Sequence, residues 1–288
     1  RDFCLSRGLG DVYKRQAKNI GDCDLIIFSA AIKSDNVERA EAKRRGIPEL
    51  ERSEALGQLT EGYESVVGIA GCHGKTTITS MLALICEQGG PDATVHIGGF
   101  VDFLNGGVRL GAHDMFITEA CEYVESFLTL RPTIALINNI DNDHLDYYGD
   151  MEHIVAAFKK FAALLPENGL LIGNTDDFRV RALMAEHTGR KLSYGMKDAD
   201  YTPANINYDD NGCPGFDIMF RGEKLMHIQL RIPGEHSVMN AIAAAAVARE
   251  IGADDKCIVS ALNAFRNTRR RFEYYGERNG VKYYLSLI

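Results

Sequence analysis

The sequence lacks paired cysteines, a long apolar run and a strongly basic segment. Its seven cysteines are odd in number and scattered without a C-x-x-C pair, which favours free thiols over a disulfide framework or a zinc site. No apolar run approaches the roughly 18 residues of a membrane span, and the N-terminus lacks the charged-then-apolar layout of a signal peptide. We therefore expect a cytoplasmic protein with no membrane partner.

The acidic residues (40 Asp and Glu) outnumber the basic ones (32 Lys and Arg). The net charge is −8, and no basic run is longer than three residues, as at Arg269-Arg270-Arg271, which argues against a nucleic-acid partner. With 45% hydrophobic and 25% charged residues, the composition is that of an ordinary globular protein. A chain of 288 residues is long enough for about two domains.

The most informative segment is residues 68–81, where an apolar run gives way to a glycine-rich turn and then a helix pattern. Backbone N–H groups at a helix N-terminus bind anions. Lys75 can reach terminal phosphates, and the Thr76 hydroxyl can ligate Mg²⁺. Ile69 stands where the general phosphate-loop template needs glycine, which leaves the shorter pattern G-x-x-G-K-T-T. We interpret this loop as an ATP site, with predicted nucleotide contacts at Gly71, His73, Gly74, Lys75, Thr76 and Thr77.

Buried-strand patterns alternate with helix patterns along the chain. The predicted strands are Leu25–Ser29, Ser65–Ala70, Met115–Glu119, Ile134–Asn138 and Leu170–Gly173, and the predicted helices include Val37–Arg45, Thr77–Gln88, Ile154–Leu165, Phe178–His187 and Val238–Ile251. This alternation predicts an α/β fold with a doubly wound, mainly parallel sheet. Residues 196–232 instead predict antiparallel hairpins attached to that sheet.

One carboxylate and one imidazole each follow a predicted strand, and both are expected to lie beside the phosphate loop. Glu119 ends one strand, and His144 lies in the segment Asn138–Asp146 after the next. With Thr76 they form a plausible Mg²⁺ ligand set, although a neutral histidine is an unusual ligand for a hard cation. We interpret Glu122, Asp141, Asp143 and Asp146 as solvated or loop-capping carboxylates, any of which could bind metal through water.

A third segment, Ile232–Ala241, opens an alanine-rich helix. His236 and Asn240 are four residues apart and share a helix face, where they could hydrogen-bond an adenine edge. The spacing by itself is a weak signal.

Together these segments resemble the Mur ligase family, and within it the branch that joins L-alanine to UDP-N-acetylmuramate. The resemblance rests on the phosphate loop, on Glu119 with Ser126-Phe127, on Asn139-Ile140 with Asp143-His144-x-Asp146, on Pro233-Gly234-x-His236 with Asn240, and on Arg270-Arg271-Phe272-Glu273. Ser29–Ile32 with Arg45–Pro48 favours the alanine branch. Cys72 and Ser237 are mild departures from the family pattern.

The resemblance implies an ATP- and Mg²⁺-dependent ligase of peptidoglycan synthesis that acts through an acyl phosphate. It implies catalytic roles for Lys75, Glu119 and His144, metal ligation by Thr76, Glu119 and His144, adenine contacts from His236 and Asn240, and phosphate contact from Arg270 or Arg271. Arg109 and Asn139 are implied to bind substrate, although a turn-stabilising role for Arg109 is equally compatible with its sequence context.

The resemblance also divides the chain. Residues 1–16 have no convincing period and are predicted to be non-native junction sequence. Residues 17–60 are assigned to a partial uridine-nucleotide domain, 61–272 to the central ATP-binding domain, and 273–288 to the start of a C-terminal ligase domain. We expect an internal fragment that is inactive by itself.

Three alternatives stay open on the sequence alone. The first is another ligase of the same superfamily, such as one that joins a recycled peptide to the sugar nucleotide or a folylpolyglutamate synthase. A regulatory or motor-type P-loop ATPase would turn over ATP without a cosubstrate. A nucleotide-binding module without ligase activity is the third. The sequence carries no prediction of oligomeric state.

Overall fold

In the computed structural model the described residues are 16–266, 273–278 and 281–285. The chain divides into two compact units, Arg1–Leu59 and Thr60–Ile288. The predicted junction segment 1–16 lies outside the described residues except for Gln16, and Arg270 and Arg271 also lie outside them. Within the part of the chain that the structure describes, every helix is too short or too polar to span a membrane.

The first unit contains a two-stranded parallel sheet of β1 (Ile26–Phe28) and β2 (Glu49–Glu51). Between them lies helix α1 (Val37–Arg45), and helix α2 (Arg52–Thr60) follows β2. The Asn36 side chain caps α1 by accepting from the backbone N–H groups of its first turn, which leaves fewer unpaired donors there. The α/β character predicted for this region is confirmed.

The second unit is built on a ten-stranded sheet. Its strands are β3 (Ser65–Ala70), β4 (Ala93–Val101), β5 (Gly106–Arg109), β6 (Ala112–Ala120), β7 (Ile134–Ile137), β8 (Leu170–Asn174), β9 (Arg190–Tyr194), β10 (Tyr201–Tyr208), β11 (Pro214–Phe220) and β12 (Glu223–Gln229). Their spatial order is β12-β11-β10-β9-β8-β7-β3-β6-β4-β5. In this spatial order, every neighbouring pair of strands from β9 through β8, β7, β3 and β6 to β4 is parallel.

Six α-helices accompany this sheet among the described residues. They are α3 (Lys75–Glu87), α4 (Leu145–Tyr148), α5 (Met151–Ala162), α6 (Phe178–Glu186), α7 (Glu235–Glu250) and α8 (Asp255–Ala264). A further antiparallel hairpin pairs β13 (Glu273–Arg278) with β14 (Val281–Leu285).

Alternate side chains of the central strand β3 face two helical layers, as a strand's period of two requires. Val67 and Ile69 belong to the buried cluster that includes α3 and α7. On the other face, a Cβ at Gly68 would come within 3.0 Å of the Phe161 ring, so α5 packs closely against β3. The alanines of α7 are buried, and their small side chains let this helix lie close to the sheet.

The doubly wound, mainly parallel sheet is confirmed, as are the antiparallel hairpins, which are formed by β10, β11 and β12. They join the parallel part through pairing of β10 with β9. Strands β4, β5 and β9 were not predicted. Two glycines interrupt the apolar pattern of β4, and β9 has the polar sequence Arg-Lys-Leu-Ser-Tyr, so neither shows the apolar run of a buried strand.

Candidate functional site

The phosphate-loop candidate connects the end of β3 to the start of α3. Strand β3 lies between β6 and β7, at the point where successive connections leave in opposite directions and open α/β sheets bind ligands. Gly74 has a φ of 87°, a conformation that glycine adopts without strain. A Cβ there would lie 2.5 Å from Asn138 Nδ2 and 2.7 Å from Asn240 Oδ1. The loop therefore requires glycine for both conformation and space.

Side-chain amides hold this loop from the end of β7. The His73 backbone N–H donates to Asn139 Oδ1 (2.8 Å), and the amide groups of Asn138 and Asn139 donate to the His73 carbonyl oxygen (2.9 and 3.0 Å). Asn138 Oδ1 in turn accepts from the buried Tyr194 hydroxyl at 2.6 Å. Asn139, predicted to bind substrate, thus supports the loop backbone. Sequence analysis assigned no role to Asn138 or Tyr194, and only the Asn138-Asn139 doublet after a strand could have signalled one.

Lys75, the first residue of α3, forms an ion pair with Glu122. The distance from Lys75 Nζ to Glu122 Oε2 is 2.7 Å, and the lysine also donates to the carbonyl oxygens of Gly71 and Cys72. The Glu122 side chain is only 1% exposed. The interpretation of Glu122 as a solvated or loop-capping carboxylate is therefore wrong. The Tyr148 hydroxyl donates to the Glu122 carbonyl oxygen, so α4 packs over this residue and excludes water.

Thr76 and Glu119 come together as predicted. The Thr76 hydroxyl donates to Glu119 Oε2 at 3.0 Å, while Glu119 Oε1 accepts from the Gly98 backbone N–H at 2.7 Å. A hydroxyl and a carboxylate at a helix N-terminus offer the hard oxygen donors that Mg²⁺ prefers. These two residues therefore fit one divalent cation beside the loop.

His144 lies on the other side of Glu122 from the lysine contact. Its backbone is left-handed, with a φ of 56°. The imidazole Nε2 lies 3.7 Å from Glu122 Oε1, and Nδ1 lies 3.7 Å from Asp143 Oδ1. The ligand atoms of Glu122, Asp143 and His144 all lie within 4.8 Å of one another. The structure thus links Lys75 to His144 through Glu122.

The side chain of the loop residue Cys72 is buried and not exposed to solvent. Its Sγ accepts from the Asp141 N–H at 3.2 Å and lies 3.4 Å from the Asp141 carbonyl oxygen. Burial raises the pKa of the Cys72 thiol to about 12. Because the thiolate is the reactive form, this environment favours a packing role.

His236 and Asn240 are separated in environment although they share a helix. Asn240 is buried, and its Oδ1 lies 3.4 Å from Asn138 Nδ2, directly behind Gly74. His236 is exposed in the first turn of α7. Asn240 thus contacts the loop itself, and adenine contacts by these two residues stay a prediction.

Arg109 is placed at the opposite end of α3. Its guanidinium pairs with Glu87 Oε2 at 3.0 Å and Asp92 Oδ1 at 2.9 Å, and it donates to the Ala93 carbonyl oxygen at 2.7 Å. These contacts favour the turn-stabilising alternative over contact with a sugar nucleotide. Arg271, predicted to contact phosphate, lies outside the described residues.

Comparison with known families matches this architecture along the chain. Residues 69–248, which contain the loop and every side chain placed around it, match the model of the Mur ligase middle domain. The chain belongs to the Mur ligase family. Residues 7–64 match a second Mur ligase model, described as the family's catalytic domain.

Among curated Mur ligases, UDP-N-acetylmuramate–L-alanine ligase of Clostridium beijerinckii is 43% identical over 281 residues, which are 97% of this chain and 61% of that protein. The ligase of the same name from Acetivibrio thermocellus is 41% identical over 267 residues, covering 92% of this chain and 57% of that protein. The chain therefore spans about three fifths of the length of the curated relatives it matches.

Solved Mur ligases share the fold. The crystal structure of UDP-N-acetylmuramate–alanine ligase MurC from Thermotoga maritima matches with a TM-score of 0.79 at 26% identity, over 93% of this chain and 60% of that one. The UDP-N-acetylmuramate:L-alanyl-γ-D-glutamyl-meso-diaminopimelate ligase from Neisseria meningitides matches with a TM-score of 0.78 at 25% identity, over 89% of this chain and 83% of that one.

Proposed function

We propose that the second unit binds ATP at the β3–α3 loop and that the protein uses it to join L-alanine to UDP-N-acetylmuramate. The observation that carries this proposal is the 43% identity to a ligase of that name over 97% of the chain. The geometry supports it, because the loop, Lys75 and the Thr76–Glu119 pair are assembled at the carboxyl ends of the parallel strands. A Mur ligase structure from Thermotoga maritima in complex with ADP shares this fold.

In this mechanism a carboxylate oxygen of UDP-N-acetylmuramate attacks the γ-phosphorus of ATP, and ADP leaves. The amine of L-alanine then attacks the acyl carbon, loses a proton and expels inorganic phosphate. Lys75 and the backbone N–H groups of the loop bind the phosphates and align them, since phosphoryl transfer depends on positioning and charge neutralisation. Thr76 and Glu119 would hold Mg²⁺, which neutralises phosphate charge when bound.

His144 is proposed to act near the substrate carboxylate, and His236 with Asn240 near adenine. Asn240 contributes in a second way, because its contact with Asn138 behind Gly74 fixes the loop. Asn139 holds the His73 backbone and so orients the N–H groups that face the phosphates. A role for Arg271 in closure over phosphate stays part of the proposal.

The test is phosphate release measured with ATP, UDP-N-acetylmuramate and L-alanine, with each cosubstrate omitted in turn and the product identified by mass spectrometry. It is applied to the 288-residue chain and to the product of the gene that encodes it. Release that requires both cosubstrates supports the proposal. Turnover of ATP without either one would show an ATPase. Activity with L-alanyl-γ-D-glutamyl-meso-diaminopimelate in place of L-alanine would assign the specificity of the Neisseria relative instead.

A further inference from the structure

The buried carboxylate of Glu122 has two oxygens in different situations. Oε2 accepts from Lys75 Nζ at 2.7 Å. Oε1 is buried and has no hydrogen-bond partner among the described residues. It is directed at His144, whose Nε2 lies 3.7 Å away, and the Asp143 carboxylate completes a group of potential ligand atoms within 4.8 Å of one another. One oxygen is thus neutralised by lysine, while the other faces Asp143 and His144, which are potential cation ligands.

The Lys75 ammonium group cannot keep its full ion pair with Glu122 while it binds a nucleotide phosphate. The same ammonium group is expected to bind the terminal phosphates once ATP is in place. Removing it from Glu122 would leave a carboxylate with 1% exposure without a counter-ion, and an uncompensated buried charge is strongly unfavourable. A second cation at Oε1 would remove that penalty, because attraction between charges about 4 Å apart is substantial in a poorly solvated site.

We propose that Glu122 exchanges cations as nucleotide binds, pairing with Lys75 in the nucleotide-free protein and with a divalent cation held by Glu122, Asp143 and His144 once Lys75 has turned to the phosphates. This inference rests on the proposed binding of ATP at the loop. Lys75 and the divalent cation then compete for one carboxylate. Nucleotide binding therefore strengthens binding of the cation at this site, and the cation strengthens nucleotide binding in return.

The competition can be measured without nucleotide. Lys75→Met removes the ammonium group and keeps an unbranched side chain of similar length, so Glu122 becomes available to a cation. We expect Mn²⁺, followed by electron paramagnetic resonance, to bind the Lys75→Met chain at least about tenfold more tightly than the wild type. The double variant Lys75→Met/Glu122→Gln should return to the wild-type affinity. Lys159→Met is the matched control, since its lysine pairs with the exposed Glu186, and its Mn²⁺ affinity should not change.

Equal Mn²⁺ affinity in folded wild-type and Lys75→Met chains would overturn the exchange. If Lys75→Met does not fold, the comparison uses wild type and Glu122→Gln with saturating ADP. The wild type should then bind two Mn²⁺ ions and Glu122→Gln one, and two ions in both would overturn the proposal. Binding of ADP by the wild type is measured in the same titration. Failure of ADP to bind at all would count against the proposed function, whereas ADP binding without coupling to Mn²⁺ would count against the exchange alone.

Discussion

A basic side chain lies at each end of helix α3. The two side chains are equally buried, but their acidic partners differ strongly in solvent exposure. Lys75 at the first residue and Arg109, which docks at the last turn, are both 14% exposed. Lys75 pairs with Glu122, which is 1% exposed, whereas Arg109 pairs with Glu87 and Asp92, which are 52% and 66% exposed. Both Lys75 and Arg109 were predicted to bind ligands, and of the two only Lys75 lies in an environment suited to ligand binding.

The difference follows from helix electrostatics and solvent access. The N-terminus of α3 presents unpaired N–H groups and a positive dipole end, which attract anions. Its C-terminus presents carbonyl oxygens, and Arg109 donates towards that of Cys86 while its other contacts are to Glu87, Asp92 and Ala93. Arginine there completes the backbone hydrogen bonding. A buried counter-ion that a ligand can replace distinguishes the binding end from the structural end.

The largest expected effect is that of Lys75→Ala. Ligation by the complete product of the gene should fall at least about a hundredfold, because one such contact to a developing charge is worth roughly 2.7–4 kcal/mol. Stability should also fall by about 3 kcal/mol, since Glu122 is left as an unpaired buried charge. Steady-state ligation assays and urea unfolding measure the two effects. The double variant Lys75→Met/Glu122→Gln should recover stability but not activity, and retention of ligation by Lys75→Ala would contradict the assignment.

A glycine at each end of the helix provides a matched pair. Gly74→Ala should lower nucleotide affinity at least about tenfold and stability by about 2 kcal/mol, because φ is 87° and the new Cβ would lie 2.5 Å from Asn138 Nδ2. Gly89, just beyond the C-terminus, has a φ of 105°, but a Cβ added there would meet no atom within 4 Å. Gly89→Ala should therefore cost only about 1 kcal/mol and leave affinity within about twofold. Isothermal titration measures the ADP affinity of each variant, and thermal unfolding measures its stability. Equal losses of ADP affinity in Gly74→Ala and Gly89→Ala would contradict the assignment of nucleotide binding to the N-terminal end of α3.

Arg109→Met tests the structural end directly. Loss of its charge-assisted hydrogen bonds should lower the free energy of unfolding by about 1–3 kcal/mol, while ADP affinity changes by less than about twofold because the site is roughly 18 Å away along the helix. Urea unfolding and ADP titration are the measurements. A large rise in the KM for UDP-N-acetylmuramate, measured with a fully folded variant of the complete gene product, would restore the substrate-binding role for Arg109.

The smallest effects concern the two buried cysteines near the helix ends. Burial raises the pKa of Cys72 to about 12 and that of Cys86 to about 11. At pH 8 the thiolate is therefore scarce, and both should react with iodoacetamide about a hundredfold or more slowly than an unperturbed thiol. Peptide mass spectrometry after timed labelling measures this, with urea-unfolded protein as the control. Rapid labelling of Cys72 alone would show that the loop opens in solution.

Local chemistry explains which parts of the fold were predictable. Ser65–Ala70 is a continuous apolar run followed by a glycine turn, and the predicted strand has the same bounds as β3. Val37–Arg45 likewise matches α1, since Asn36 and Gly46 mark its ends. Strand β4 escaped prediction because its glycines serve close approach, as at Gly98, where a Cβ would lie 3.1 Å from Glu119 Oε2. In such a strand, the residue type at a position is determined by packing against the neighbouring strand, and the apolar pattern that predicts a buried strand is lost.

The candidate site divides in the same way. Gly71, Gly74, Lys75 and Thr76 are recognisable in sequence because helix capping and phosphate binding act over a few consecutive residues. Glu122 and Arg109 are not, because burial and choice of ion-pair partner depend on groups that come from distant parts of the chain. Tyr148 from α4 covers Glu122, and Asp92 beyond the end of α3 pairs with Arg109.

The sequence by itself determined the alternation of strands and helices, the phosphate loop and the membership of a ligase family, since each depends on short-range pattern. Tertiary structure alone decided that Glu122 is buried between Lys75 and His144, that Asn138 and Asn240 brace Gly74, and that Arg109 belongs to the far end of the helix. The physical reason is that desolvation and ion pairing are set by the three-dimensional neighbours of a side chain.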